Sequence, residues 1–410
     1  MHDFFRPRDA VFDIPSRAYA LLIDGAGSEF VLFDAVNADY FDRTYAVSGP
    51  LPQPGSWRNH VDGAPIYAIE INASDAGGEW LAKYPHDALP EWSQIELVPD
   101  DKGEAAVYNS IAGPPRRARI SVRPASNKLA RMLALATDLA PDVRPEDEIE
   151  LALPASPIEH IFALDVGQGS ANALVAAAGK VVAYVDLGAG VLADVGTWPP
   201  SMRGICLLHD PPVILTHWHY DHFHAANIYP AAQGMTWIAA LQTLGPGPQS
   251  AMASAIGTTG KLMVWSGGGI LSAGKVDLER CVGPATNQNR SGMAVWVRGE
   301  PVSTRFCCPE TQVIVTFQRF AQPRQLPAPS PLTTAAMHRV RLRRSRARAP
   351  RASRSPTAIT TATRIRWQSR SRVSQTQTGK LAPPRPVSMR GAPRFATRSW
   401  AGPKVSATFA

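Results

Sequence analysis

Cysteine is scarce in this chain of 410 residues, with four in all: Cys206, Cys281, Cys307 and Cys308. None pair as C-x-x-C, so neither a disulfide framework nor a cysteine-type zinc knuckle is encoded. Long apolar runs are lacking as well. "AYALLI" and "VVAYV" fall far short of the ~20 residues that cross a bilayer as a helix. The opening "MHDFFRPRDAVFDIP" mixes acids with bases and has no apolar centre, unlike a secretory signal. The expectation is a cytoplasmic protein with no membrane association. Acidic residues are missing from one place only. Residues 311–410 hold 18 Arg, 2 Lys and no Asp or Glu, which leaves 22 basic against 34 acidic residues in 1–310. The formal +8 therefore belongs to the tail, and the body carries −12.

What is present divides into three regions. Residues 1–155 read as a small α+β accessory domain. "RAYALLIDGAGSEFVLFDAV" predicts two strands around a Gly-rich turn. "SNKLARMLALATDLA" (126–140) opens on a capping Ser and carries apolar residues at helical spacing. "APDVRPEDEIELALPASP" reads as a linker and a strand. No catalytic constellation lies here, and an accessory or partner-binding role accounts for the region.

From 158 the texture changes. "IEHIFALDVGQGSANALVAAAGKVVAYVDLGAG" predicts strands over 161–166, 171–177 and 180–186, separated by Gly-rich turns. "PPVILT" is a further buried strand, with a helix expected from Phe223 through "HAANIY". "KLMVWS", "KVDLERCV" and "GMAVWV" predict later strands. Strands, a loop, a helix and strands again make a layered α/β fold. "GILSAGKV" (269–276) has the spacing of a phosphate loop but lacks Ser or Thr after Lys275 and precedes a strand, so it is set aside. "GQG" (167–169) completes no dinucleotide fingerprint.

The informative stretch is "VILTHWHYDHFHAA" (213–226), with His217, His219, Asp221 and His222 as H-x-H-x-D-H. Imidazole suits zinc and a carboxylate adds a hard anionic donor. Residues two apart can point the same way, so His217 and His219 can share one ion, while Asp221 and His222 face a second about 3.5–4 Å off. A chance surface cluster is the bland alternative. With 10 His in 410 residues it is a rare accident. His224 lies outside the spacing and reads as a surface residue at a helix start.

These residues carry a resemblance. "LDVGQGSANALV", "YVDLGAG", "LTHWHYDH" and, more weakly, "NQNRSGMAVWV" make residues 158–306 similar to the metallo-β-lactamase fold, most of all to the hydrolase domain of late-competence DNA-uptake (ComEC-like) proteins. The resemblance implies an αββα sandwich with one or two divalent ions, zinc foremost, held by His217, His219, Asp221 and His222. It implies a metal-bound hydroxide attacking a phosphodiester or nucleotide, with Asp221 in the catalytic set and Asp165 and Asp186 as bracing residues. Small-molecule, nucleotide or nucleic-acid substrates follow from it. Ser170 departs from the family's "DVGQGD".

Two further family segments are missing: "LLPGDA", whose Asp bridges two ions, and "THHG". Here the chain runs "STRFCCPETQVIVTFQ". Phe is TTY and Cys TGY, so reading Phe306-Cys307-Cys308 two bases late gives Leu-Leu. Permitted codons then yield "LLPGDAGYRHIP", and "PLTTAAMH" yields "THHGGHA" in the same frame. The expectation is a one-base deletion after Phe306 that leaves the sandwich incomplete and turns 307–410 into an out-of-frame Arg/Pro/Ser-rich tail. The competing account is a basic arm for nucleic acid. Either way such a composition does not bury a core. Amides in 340–410 should therefore exchange with solvent within seconds in a hydrogen-exchange experiment. Slow exchange anywhere in that range would refute the assignment.

Overall fold

A computed structural model describes residues 2–306 except 8–11, 25–29, 47–48, 73–91, 201, 203, 284–286 and 299–302. The turn expected between the first two strands and everything expected of 307–410 lie outside the described residues. Side chains of 303–306 are likewise not described.

The first half is built from β1 (Arg17–Asp24), β2 (Phe30–Asn37), β3 (Ile66–Asn72), β4 (Trp92–Pro99), β5 (Ala105–Tyr108) and β6 (Arg116–Pro124). They close as a barrel in the order β1-β2-β3-β5-β6-β4. Successive side chains of a strand face opposite ways, and the sequence uses both faces. Ala18, Ala20, Phe33, Ala35, Ile69 and Val107 fill the interior. The small alanines suit a barrel this narrow. Tyr19, Leu21, Ile23 and Val36 face outward into a second core. The capped helix is there: Asn127–Ala136, with the Ser126 hydroxyl accepting from the Leu129 N–H.

One expectation is corrected. "EDEIELA" forms the helix Glu146–Ala152, not a strand. Pro145 stands at its cap and three acids fill its first turn, where the positive end of the helix dipole favours them.

Two sheets make up the rest. β7 (His160–Ala163), β8 (Ala171–Val175), β9 (Val181–Leu187), β10 (Val213–Leu215), β11 (Thr236–Ala240) and β12 (Lys261–Trp265) form a six-stranded sheet in the order β12-β11-β10-β9-β8-β7. β9 to β12 are parallel and β7 and β8 antiparallel. β13 (Ile270–Ala273), β14 (Val276–Arg280), β15 (Met293–Arg298) and β16 (Ser303–Phe306) form an antiparallel sheet. Val185, Ile214, Ile238 and Met263 pack against Leu278, Met293 and Val295 between the sheets. The alternate residues Tyr184, Val213, Leu215, Trp237 and Val264 face the other way. There they meet the helix Pro248–Thr259, the helix Asn127–Ala136 and the outer face of the barrel. Parallel strands covered on both faces read as near-continuous apolar runs, as "VVAYV" and "PVILT" do. Among the described residues no helix is long and apolar enough to cross a membrane. The chain is thus a mixed α/β protein with several sheets, and barrel and sandwich share one core.

A carboxylate pins that shared core. Asp34 of β2 is fully buried and accepts from the backbone N–H groups of Gly247 and Gln249 (2.8 Å) and from the Tyr220 hydroxyl (2.9 Å). It thereby caps the N-terminus of Pro248–Thr259 from another part of the chain. A Cβ at Gly245 or Gly247 would collide with this carboxylate. Burial pushes the Asp34 carboxyl from 3.8 up to about 7, against the pull of its three donors. The folded state therefore keeps a proton that the unfolded chain releases above pH 3.8. The stability tied to this group is highest below that pH and falls as pH rises towards 7. The loss is on the order of 4 kcal/mol, at 1.36 kcal/mol per pH unit. Urea unfolding of wild type and Asp34→Asn from pH 4 to 7 should show the wild-type advantage shrinking by that order. A difference that stays constant across the window would refute it.

Candidate functional site

β9 and β10 lie side by side and parallel, so their carboxyl ends open at one place. Loops at the carboxyl ends of parallel strands commonly carry function. Asp186 closes β9 there, and Thr216 to His222 follow β10.

Asp186 organises the loop. It is 2% exposed and takes a left-handed backbone, φ 58°, which Asp tolerates better than most residues. Its carboxylate accepts the Thr216 N–H (2.8 Å), the Thr216 hydroxyl (2.9 Å) and His222 Nδ1–H (2.8 Å). The one hydroxyl proton of Thr216 is committed to Asp186, so towards His217 Nδ1 at 3.1 Å the hydroxyl accepts. His219 Nε2 lies 2.8 Å from the Ile23 carbonyl, which can only accept, so that nitrogen carries its hydrogen.

The Gly-rich turns seen in the sequence hold the far side of the loop. Ser170 N–H donates to the Asp221 carbonyl (3.1 Å), and Gly188 N–H donates to the Ser170 carbonyl (2.7 Å). A Cβ at Gly188 would occupy the position of the Asp221 carbonyl oxygen, so glycine is required there. Asp165 braces its own turn by accepting Gly167 N–H (3.3 Å).

Between the two histidines, Trp218 is fixed by residues the sequence did not single out. Its N–H donates to Gln242 (3.3 Å) and its carbonyl accepts from Gln249 (2.6 Å). Gln249 and Gln288 exchange amide hydrogen bonds at 2.7 and 2.9 Å, and Gln242 donates to the Gln288 carbonyl and Ser291. No spacing rule marks such amides. Gln288 alone lies inside a family-like motif, "NQNRSG". His224 is corrected: it is 2% exposed and hydrogen-bonded to the Gly190 carbonyl (2.8 Å), not a surface residue. Burial pushes its imidazole down to about 4.

The four expected ligands are thus gathered at one strand end. His217 lies 3.9 Å from His222 and 4.5 Å from His219, centroid to centroid, and His219 lies 6.5 Å from His222. Asp221 Oδ1 is 3.9 Å from His222 Nε2. They do not fit an ion in this arrangement. Imidazoles sharing one tetrahedral zinc at 2.0–2.1 Å hold their centroids about 5 Å apart. His217 is closer than that to both neighbours. His222 is driven down by burial, yet Asp186 and Asp221 outweigh this and raise it to about 9. Burial and the neighbouring imidazoles push His217 well below its ordinary value. Among the described residues no three His, Cys, Asp or Glu side chains are arranged to hold a metal.

No family model matches this sequence, and no curated protein matches it. Among solved structures the chain is similar to a metallo-β-lactamase protein with a HARLDQ motif from Cronobacter sakazakii, at 15% identity and a TM-score of 0.24. The match covers 40% of this chain and spans 64% of the other. So low a score leaves any functional reading to the motif and the strand topology.

Removing the organising carboxylate should be costly. Asp186→Ala strands a buried N–H, a hydroxyl and an imidazole together. The expected loss is about 3–5 kcal/mol of unfolding free energy, the range for breaking a buried charged pair. A loss below about 1 kcal/mol in urea titration would show that Asp186 does not hold the loop.

Proposed function

We propose that the chain is a hydrolase of the metallo-β-lactamase superfamily by lineage, of the late-competence type, whose site was built for divalent ions, zinc foremost. The observation that carries this is convergence. His217, His219, Asp221 and His222, spaced H-x-H-x-D-H, meet at the carboxyl end of two parallel strands with a buried carboxylate behind them. Imidazoles braced through one ring nitrogen by Asp186, Thr216 and a backbone carbonyl have the form of oriented metal ligands. The substrate class follows from the motif resemblance: a phosphodiester, in a nucleotide or a nucleic acid. The −12 of residues 1–310 favours a small nucleotide over a long polyanion.

In the present chain the activity is impaired. The segments resembling "LLPGDA" and "THHG" are absent from the frame after Phe306, and with them a bridging carboxylate and a further His. A second reading, a binding or regulatory protein that keeps the fold without turnover, is favoured by the closed packing of His217 against its neighbours.

Repair of the reading frame separates these readings. Adding a single C after the Phe306 codon restores both segments. Hydrolysis of bis-p-nitrophenyl phosphate with zinc or manganese should rise about 100-fold, the order associated with regaining a ligand or its support. The unrepaired chain should hold at most one tight zinc equivalent by elemental analysis. Two tight equivalents in the unrepaired chain, or equal rates for both chains, would overturn the reading.

A further inference from the structure

The chain between β9 and β10 makes a tight turn that no motif marks. Tyr184 of β9 holds both ends of it. Its N–H donates to the Pro212 carbonyl (2.9 Å) and its hydroxyl to the Cys206 carbonyl (2.9 Å). Within that span the Asp210 N–H donates to the Leu207 carbonyl (3.2 Å), which closes the turn. The backbone is strained at two successive residues, because His209 sits at φ 71° and Asp210 at φ 48°. Asp tolerates positive φ better than most residues, yet here it precedes Pro211. The ring of a following proline pushes a residue towards extended backbone at negative φ. Such a conformation persists where its surroundings fix it, and Tyr184 does so from both sides. His209 and Asp210 are exposed, as is Leu208 at 68%, whereas Pro211 is buried.

Asp210–Pro211 is the sole Asp–Pro bond in the sequence. Proline's doubly alkylated nitrogen is a more basic leaving group than an ordinary amide nitrogen. An aspartyl carboxyl, for its part, can reach its own carbonyl carbon through a five-membered ring. We propose that this bond is a site of self-cleavage, set in a turn whose strain is released as the bond breaks. The Asp210 carboxyl oxygen attacks the Asp210 carbonyl carbon and forms a cyclic anhydride. The bond to the Pro211 nitrogen breaks, and that nitrogen takes the carboxyl proton and becomes a secondary amine. Water then opens the anhydride, leaving two carboxyl groups on Asp210 and a new N-terminus at Pro211. One water is consumed and no other reactant enters. The new N-terminus lies two residues ahead of β10, which pairs with β9 and β11 and whose Val213, Ile214 and Leu215 are fully buried. The cut chain therefore keeps its sheet.

Incubating the full-length chain with protease inhibitors in mildly acidic buffer should yield two pieces, residues 1–210 and 211–410, by intact mass. The free peptide CLLHDPPVI (206–214) carries the same bond without the fixed turn. The folded chain should cleave about tenfold faster than this peptide, which corresponds to about 1.36 kcal/mol at the barrier. The rate should not vary with protein concentration, since the attack is intramolecular. A folded chain that cleaves no faster than the peptide, or that breaks elsewhere, overturns the proposal.

Substitutions at the two exposed residues separate the strain from the chemistry without touching the core. Asp210→Asn removes the attacking carboxyl and should abolish the two pieces. His209→Gly adopts positive φ without cost and should slow cleavage about threefold or more. His209→Asn keeps a side chain at that φ and loses the imidazole, so it should cleave like the parent. Cleavage that continues in Asp210→Asn overturns the mechanism. An unchanged rate in His209→Gly, or an equal loss in His209→Asn, overturns the role of backbone strain.

Discussion

The site depends on a buried carboxylate that has to be satisfied. Asp186 sits where β9 ends and is almost wholly removed from water. An ionised carboxylate in such a place is tolerated only when its oxygens are filled by donors. Its donors are the backbone and hydroxyl of Thr216 and the ring of His222. All belong to the chain leaving β10. The requirement that one acid be paired therefore fixes the path of the next loop, and with it the position of three histidines.

Asp34 repeats the device across a longer distance in sequence. It belongs to the barrel, yet its partners are Tyr220, Gly247 and Gln249. The glutamine cluster completes the frame, because Gln249 receives its backbone position from Asp34 and passes it to Trp218 through its side chain. The loop is thus bounded by the barrel, the sheet and the amide cluster. The Asp34 and glutamine contacts are buried, so loss of any of these partners leaves a desolvated group without compensation.

The shared core sets the barrel against the histidine loop. Outward residues of β1 and β2, such as Tyr19, Leu21 and Val36, pack in the same cluster as Leu215, Trp218, Phe223 and Met252. A region whose sequence shows no catalytic residue still contributes a wall of the site. Its contribution is a carbonyl and one acid, neither of which advertises itself in a motif.

Alternation and spacing in the sequence were enough to place most strands, the capped helix at Asn127–Ala136, the loop after β10 and the side chains that gather there. These follow from local rules: period-two burial, a Ser cap, and imidazoles two residues apart. The helix Glu146–Ala152 escaped because a short acidic segment ending in "ELAL" fits a strand as well as a helix, and the dipole and the Pro at its start decided between them. Composition also sets residues 1–310 apart from the Arg-rich remainder. Which acid sits behind the histidines, which glutamines hold Trp218, that His224 is buried and that Ile23 meets His219 were settled only by the tertiary structure. Each pairs residues far apart in the chain, and the same Asp, Gln or His would serve equally well on a solvated surface. Burial gives such residues their roles, and burial is a property of the packed molecule.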